Sequence, residues 1–127
     1  MREDTKVLPL AQAGAPAEEQ LVELAVEVFT MLADATRVRV VLALRDGELS
    51  VSALAALVGK SPTAVSQHLA KLRLARMVVT RHEANRVFYR LANEHAGQLV
   101  TDAILQAEHS VDDHPGHHRR RHAEGRR

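Results

Sequence analysis

Cysteine is absent from the 127 residues. The chain therefore has no disulfide and no thiolate metal ligand, which suits a reducing compartment. Tryptophan is absent too, and beyond histidine the aromatics are Tyr89, Phe29 and Phe88. No apolar run approaches the roughly 20 residues that cross a bilayer. The opening MREDTKVLPL lacks the long apolar core of a secretion signal. The expectation is a cytoplasmic chain with no membrane association. A large excess of one charge is missing as well, since the formal net charge is +1. Bulk basicity is thus no argument for nucleic acid, and only local placement of charge can be. Base gathers in 68-HLAKLRLARMVVTRHEANRVFYR-90 and in 119-RRRHAEGRR-127, whereas acid gathers before residue 35.

The chain has the length of one domain. Its apolar residues, mostly Ala, Leu and Val, can supply a small helical core. Burying each Leu or Val fully stabilises by roughly 1.5–3 kcal/mol, against roughly 1–2 kcal/mol of backbone entropy per ordered residue. So small a core leaves little margin, and dimerisation would add to it. Residues 1–15 read as a loose, charged arm. A helix is expected to start near Pro16, with Glu18 and Glu19 at its positive end and Leu21, Leu24, Ala25, Val28 and Leu32 at helical spacing. Asp34 can cap a second helix over 35–46, with Val38, Val41, Leu42 and Leu44 on its apolar side and Gly47 as its stop.

Residues 50–78 hold the most informative pattern. Ser50 can cap a short helix carrying Val51, Leu54, Ala55 and Leu57, ended by Gly59. Ser61 can cap the next, with Pro62 in its first turn and Val65, Leu69 and Leu72 facing inward. Two short helices about a glycine turn make a helix-turn-helix candidate. The β-rich runs 77-MVVTRH-82 and 86-RVFYRL-91 flank Glu83, Ala84 and Asn85 and fit a hairpin, which in this position is a wing. Helical spacing returns at Ala96, Leu99, Ala103 and Ala107, with Val100 and Ile104 beside them, and runs to about His109. Pro115 and Gly116 then break it. The fold expected is mainly α with a small β-hairpin, a winged helix-turn-helix over 16–110, with a His/Arg-rich tail over 111–127.

On a recognition helix starting at Pro62, the residues Thr63, Ser66, Gln67 and Lys71 lie outward. Gln67 can bridge adenine N6 and N7, and Ser66 and Thr63 are versatile groove contacts. Lys71 and Arg73 suit phosphates, as do the free backbone N–H groups at the Ser61 end. Arg86 and His82 on the wing can add backbone or minor-groove contacts. The alternative is an ordinary polar helix face.

The segments LADATR (32–37), SQHLAKLR (66–73) and VFYRL (87–91) resemble the ArsR/SmtB family of metal-responsive repressors, over roughly residues 20–110. The resemblance implies a winged-helix homodimer, joined through its first and last helices, that binds operator DNA and leaves it when metal binds. The nickel- and cobalt-sensing branch is most similar, through 93-NEHAGQLVTDAILQAEH-109 and the histidine pair at 117–118.

His95 and His109 are fourteen residues apart, hence about 40° apart in direction and about 21 Å apart along a helix. They share a face but cannot share a metal within one chain. Two antiparallel copies would set His95 of one beside His109 of the other, giving two equivalent sites about a twofold axis. The resemblance places metal ligands on His95, Glu108, His109, His117 and His118. Four imidazoles and one carboxylate suit Ni2+ or Co2+, and Zn2+ is also possible. The family's familiar tetrahedral zinc site would fall on Asn93, His95, Gln106 and His109, where two of the four are poor ligands. The stretch 108-EHSVDDHPGHHRRRH-122 holds five of the eight histidines, and His114 and His122 are possible substitutes. Its other readings are a basic solvated tail or a clamp on DNA backbone. No nucleophile–base pair stands out, so no enzyme is expected. The runner-up function is a repressor of the same fold controlled by another ligand or a partner protein.

Overall fold

The computed structural model describes residues 17–112. The elements in order are α1 (Glu18–Leu32), α2 (Ala35–Leu44), β1 (Leu49–Ser50), α3 (Val51–Val58), α4 (Pro62–Leu74), β2 (Val78–Glu83), β3 (Arg86–Leu91) and α5 (His95–Asp112). Three helix starts follow from side-chain caps. Asp34 accepts from Arg37 N, Ser50 from Ala53 N and Ser61 from Ala64 N, at 3.0, 3.2 and 3.1 Å, each satisfying a backbone donor the first turn leaves free.

Helices α3 and α4 end in left-handed residues of different kinds. Gly59 (φ 72°) closes α3 at no steric cost. Arg76 (φ 63°) does the same for α4. There Met77 N donates to Leu72 O and Arg76 N to Arg73 O, both at 2.9 Å, the paired bonds of a Schellman closure.

The core lies where α2 meets α3, α4, α5 and the sheet. Val40, Val41, Leu54, Val65, Leu69 and Leu72 are fully buried within it, and Met77, Val78, Ala96 and Val100 complete it. The expected inward face of α4 is therefore the observed one. On α2 it is Val40, Val41 and Leu44 that bury, while Val38 and Leu42 are half-buried. Leu57 corrects the reading of α3: it is 66% exposed, because Leu54 and Ala55 already fill that helix's contact with the core.

The sheet is antiparallel, in the order β1-β3-β2. Its two-residue edge, Leu49↔Tyr89 and Ser50↔Phe88, was not foreseen, being too short to show an alternation. The hairpin turn is Ala84–Asn85, tighter than the three residues expected, with Ala84 at φ 55°. The last helix extends past His109 to Asp112. Pro16 and residues 113–127 lie outside the described residues, and α1 begins at Glu18 behind Ala17, whose N–H donates to Gln20 Oε1 at 3.0 Å.

Helix α1 is unlike the others: none of its residues is buried. Val22, Leu24, Val26 and Phe29 stand 47–59% exposed. Along α5, Leu99, Ile104 and Leu105 are likewise exposed. Between the two helices runs an apolar groove of about 320 Å³ lined by Phe29, Leu32, Val38, Leu99, Val100, Ala103 and Ile104.

Candidate nucleic-acid interface and metal-ligand positions

Val65, Leu69 and Leu72 hold α4 against the core, and this fixes which of its residues face out. Ser61, Thr63, Ser66, Gln67, Lys71 and Arg73 are all exposed, as is Arg86 on the wing. Ser61 has two roles to reconcile. Its hydroxyl accepts from Ala64 N, and its O–H remains able to donate to a phosphate beside the neighbouring backbone N–H groups.

Sequence reasoning missed the partner network of His68. This half-buried residue of α4 lies with Nδ1 3.1 Å from Arg37 Nη1 and 3.7 Å from Asp34 Oδ1. Arg37 Nε also donates to Met31 O at 2.5 Å. One guanidinium at the start of α2 thus reaches both the last turn of α1 and the middle of α4. The Asp34 carboxyl is held below its ordinary value, chiefly by the backbone N–H of Arg37; burial opposes this as the next-largest effect, and the Arg37 and His68 charges then add to the lowering. The signal in the sequence was the LADATR segment itself: its Asp and Arg sit three apart across a helix start.

The wing carries its charge on the outward face. Val78 and Tyr89 turn toward the core, which leaves Arg81, Phe88 and Arg86 on the other side by the two-residue alternation of strands. Arg81 pairs with Glu48 and Glu83. Arg81 and Arg86 both lie over the Phe88 ring, at 4.7 and 5.1 Å from its centroid. His82 is exposed near the tip.

On α5, His95, Glu108 and His109 are all exposed. No group of three or more potential ligands (His, Cys, Asp or Glu) comes together among the described residues, as a helical separation of about 21 Å between the two histidines requires. Asn93 Oδ1 accepts from His95 N at 2.9 Å. Asn93 therefore acts as a cap on α5, and the one good donor atom of its amide is already engaged. Imidazoles this far apart on one helix cannot ligate the same metal within one chain. His114, His117, His118 and His122 lie outside the described residues.

A family model described as "Bacterial regulatory protein, arsR family" matches residues 34–80. The HTH-type transcriptional regulator KmtR of Mycobacterium tuberculosis is 57% identical over 104 residues, which cover 82% of this chain and 80% of that protein. The chain belongs to the arsR family. It is a DNA-binding winged-helix regulator and not an enzyme. A second relative, the HTH-type transcriptional repressor SmtB of the same species, is 33% identical over 93 residues, 73% of this chain and 69% of that protein. Among solved structures, the homodimeric winged helix-turn-helix DNA-binding domain of a possible ArsR-family regulator from Mycobacterium bovis superposes with a TM-score of 0.68. That likeness spans 89% of this chain and 95% of the other at 24% identity, so it concerns the fold. Family membership accords with the elements described: residues 34–80 run from the Asp34 cap through α4 into β2. None of the helices among the described residues is long and apolar enough to cross a membrane.

Proposed function

We propose that the chain is a cytoplasmic repressor that binds operator DNA as a homodimer and releases it when Ni2+ or Co2+ binds. The observation that carries this reading is the placement of His95 and His109 at the two ends of one exposed helix face. The two cannot share a metal within one chain, whereas a second copy, running antiparallel, would set His95 of one beside His109 of the other. The apolar groove between α1 and α5, with Phe29, Leu99 and Ile104 exposed along it, supports such pairing, since monomers rarely leave large apolar patches to water. Likeness to KmtR supports the ligand set His95, Glu108, His109, His117 and His118. That set gives four nitrogens and one oxygen per site, which suits nickel or cobalt with five or six ligands; zinc is a competitor on affinity alone.

In this reading Gln67 and Ser66 read bases, Thr63 supports them, and Lys71, Arg73, Arg86 and the Ser61 end of α4 grip phosphates. Residues 111–127 close the metal shell rather than clamp DNA. A metal ordering that tail across the pair would favour a spacing of the two α4 helices away from the one-turn separation of roughly 34–36 Å that adjacent major grooves require. Coupling is reciprocal, so operator DNA weakens nickel binding by the factor by which nickel weakens DNA binding.

The deciding experiment titrates nickel into the full chain and into a chain lacking residues 112–127, following DNA affinity and the optical spectrum together. The truncated chain is expected to bind DNA normally without metal and to lose most of its nickel response. Loss of metal-free DNA binding on truncation would make the tail a DNA clamp instead. Absence of nickel, cobalt and zinc binding in equilibrium dialysis would favour the same fold under another effector.

A further inference from the structure

Three of the wing's cations are not equivalent. Arg81, on β2, does not point away from the protein. Its side chain crosses β3 over the Phe88 ring and reaches Glu48 beyond, the residue preceding β1. Its Nε donates to both Glu48 oxygens, at 3.0 and 3.1 Å, and its Nη2 donates to Glu48 Oε1 as well. Nη1 is taken by Glu83 Oε1 at 2.9 Å. One guanidinium thus serves two carboxylates.

Glu83 makes this sorting sharper. Its cross-strand neighbour is Arg86, the partner that strand geometry would favour. It bonds Arg81 instead. Arg86 is left with the Phe88 ring at 5.1 Å, and among the described residues no carboxylate lies within ion-pair distance of it. Arg90 lies at the base of the hairpin, paired with Val79, and its Nη1 donates to the Leu91 carbonyl at 3.4 Å. Arg86, beside the Ala84–Asn85 turn, is the unpaired arginine nearest the tip.

We propose that Glu48 sets the DNA affinity of the wing: by holding Arg81 across the sheet it withholds that cation from phosphate, so that Arg86 is the arginine the wing tip offers to DNA. This rests on the DNA-binding part of the reading above and not on its metal part. The chemistry favours it on two counts. A phosphate would have to displace a bidentate carboxylate of like charge, and Glu48 and Glu83 would both repel it. The Glu48 carboxyl is moreover held below its ordinary value by the hydrogen bonds from Arg81, so it stays ionised wherever DNA binding is measured. Functionally, a repressor that must let go gains from having fewer sequence-independent contacts. Each additional phosphate contact strengthens binding to every DNA sequence alike and leaves the released protein on random DNA.

The test measures binding of metal-free full chain to a fluorescent duplex of random sequence across a range of salt concentrations. Glu48→Gln is expected to bind more tightly than wild type, with a log–log salt slope steeper by about 0.9, one added phosphate contact. Arg81→Gln is expected to match wild type. Arg86→Gln is expected to bind more weakly, with a slope shallower by about 0.9. The double variant Glu48→Gln/Arg81→Gln returns to wild type, since the freed cation has been removed. Circular dichroism and melting of each variant check that the hairpin is intact. Weaker or unchanged binding by Glu48→Gln overturns the proposal and makes the Glu48–Arg81 pair a mere structural staple. Equal weakening by Arg81→Gln and Arg86→Gln overturns it too, since both would then reach DNA. A wild-type chain that binds no duplex at low salt would instead remove the DNA-binding reading beneath it.

Discussion

Arg37 fixes the tautomer of His68. A guanidinium can only donate, so in the neutral ring the His68 Nδ1 that lies 3.1 Å from Arg37 Nη1 accepts, and the ring proton sits on Nε2. The same Arg37 holds Met31 O through Nε. Substituting Arg37 by Met keeps much of the stem and removes both bonds. Hydrogen bonds to charged groups contribute roughly 1.5–3 kcal/mol each, less where water competes. The expected loss is about 2 kcal/mol in unfolding free energy by urea titration, together with weaker operator binding, because α4 loses a fixed point opposite its exposed face. A change in stability below roughly 0.5 kcal/mol, the usual range of a neutral surface substitution, would show that the contact anchors nothing.

Asp34 gives that region a pH dependence of defined sign. Its pKa is lowered in the fold, first by the Arg37 backbone N–H and then by the charges of Arg37 and His68. A carboxyl depressed in the native state stabilises fully above its unfolded value and loses that contribution as pH falls through its folded value. The ordinary value is 3.8. Asp34→Asn keeps a capping oxygen and removes the charge. Wild type should therefore exceed this variant in stability at neutral pH, and the gap should close as pH drops below 3.8. A gap that widens toward acid would contradict the assignment.

The Schellman closure of α4 invites a stabilising change. Arg76 holds φ at 63°, a conformation costing an L-residue roughly 1–2 kcal/mol. Glycine removes that strain and adds roughly 0.5–1 kcal/mol of unfolded-state entropy to be overcome. The difference favours Arg76→Gly by about 0.5 kcal/mol, a rise of roughly 2–4 °C in Tm for a domain of this size. A fall in Tm would mean that the Arg76 side chain holds something the strain offsets.

Trans-complementation tests the two-chain metal site. His95→Ala and His109→Ala chains should each bind nickel poorly as homodimers. Mixed and refolded together they form heterodimers in which one of the two sites recovers both histidines and the other loses both. Random pairing makes half the dimers mixed, so about one quarter of wild-type site occupancy should return. No recovery would mean that His95 and His109 do not meet in a shared site across the pair.

The sequence made the fold legible wherever local chemistry determines local structure. Asp34, Ser50 and Ser61 are caps in the sequence pattern and caps in the structure, because capping depends on residues three apart. The inward face of α4 was equally plain from Val65, Leu69 and Leu72. What escaped notice was long-range. The pairing of Arg37 with His68 spans 31 residues and that of Arg81 with Glu48 spans 33, and no periodicity encodes either. Leu57 misled for a related reason: helical spacing names an apolar residue but not which neighbours have already filled the core beside it. At the proposed metal site, the two histidines could be placed on one face from their spacing. Asn93 could be ranked a poor ligand from its chemistry, but its engagement as a cap needed coordinates.

Helix α1 buries none of its fifteen residues. An isolated helix of that length is marginal in water, and α1 packs on the core only through its second half, at Val28, Met31 and Leu32, so in a lone chain its first turns would fray, and in a paired chain they would not. Pairing through α1 thus makes the lifetime of the protein depend on its abundance. A newly made copy without a mate offers its N-terminal segment to proteases, which act on the transiently open fraction, whereas a mated copy shields it. Degradation then thins unpaired chains selectively, and the surviving pool is enriched in molecules able to span two grooves at once.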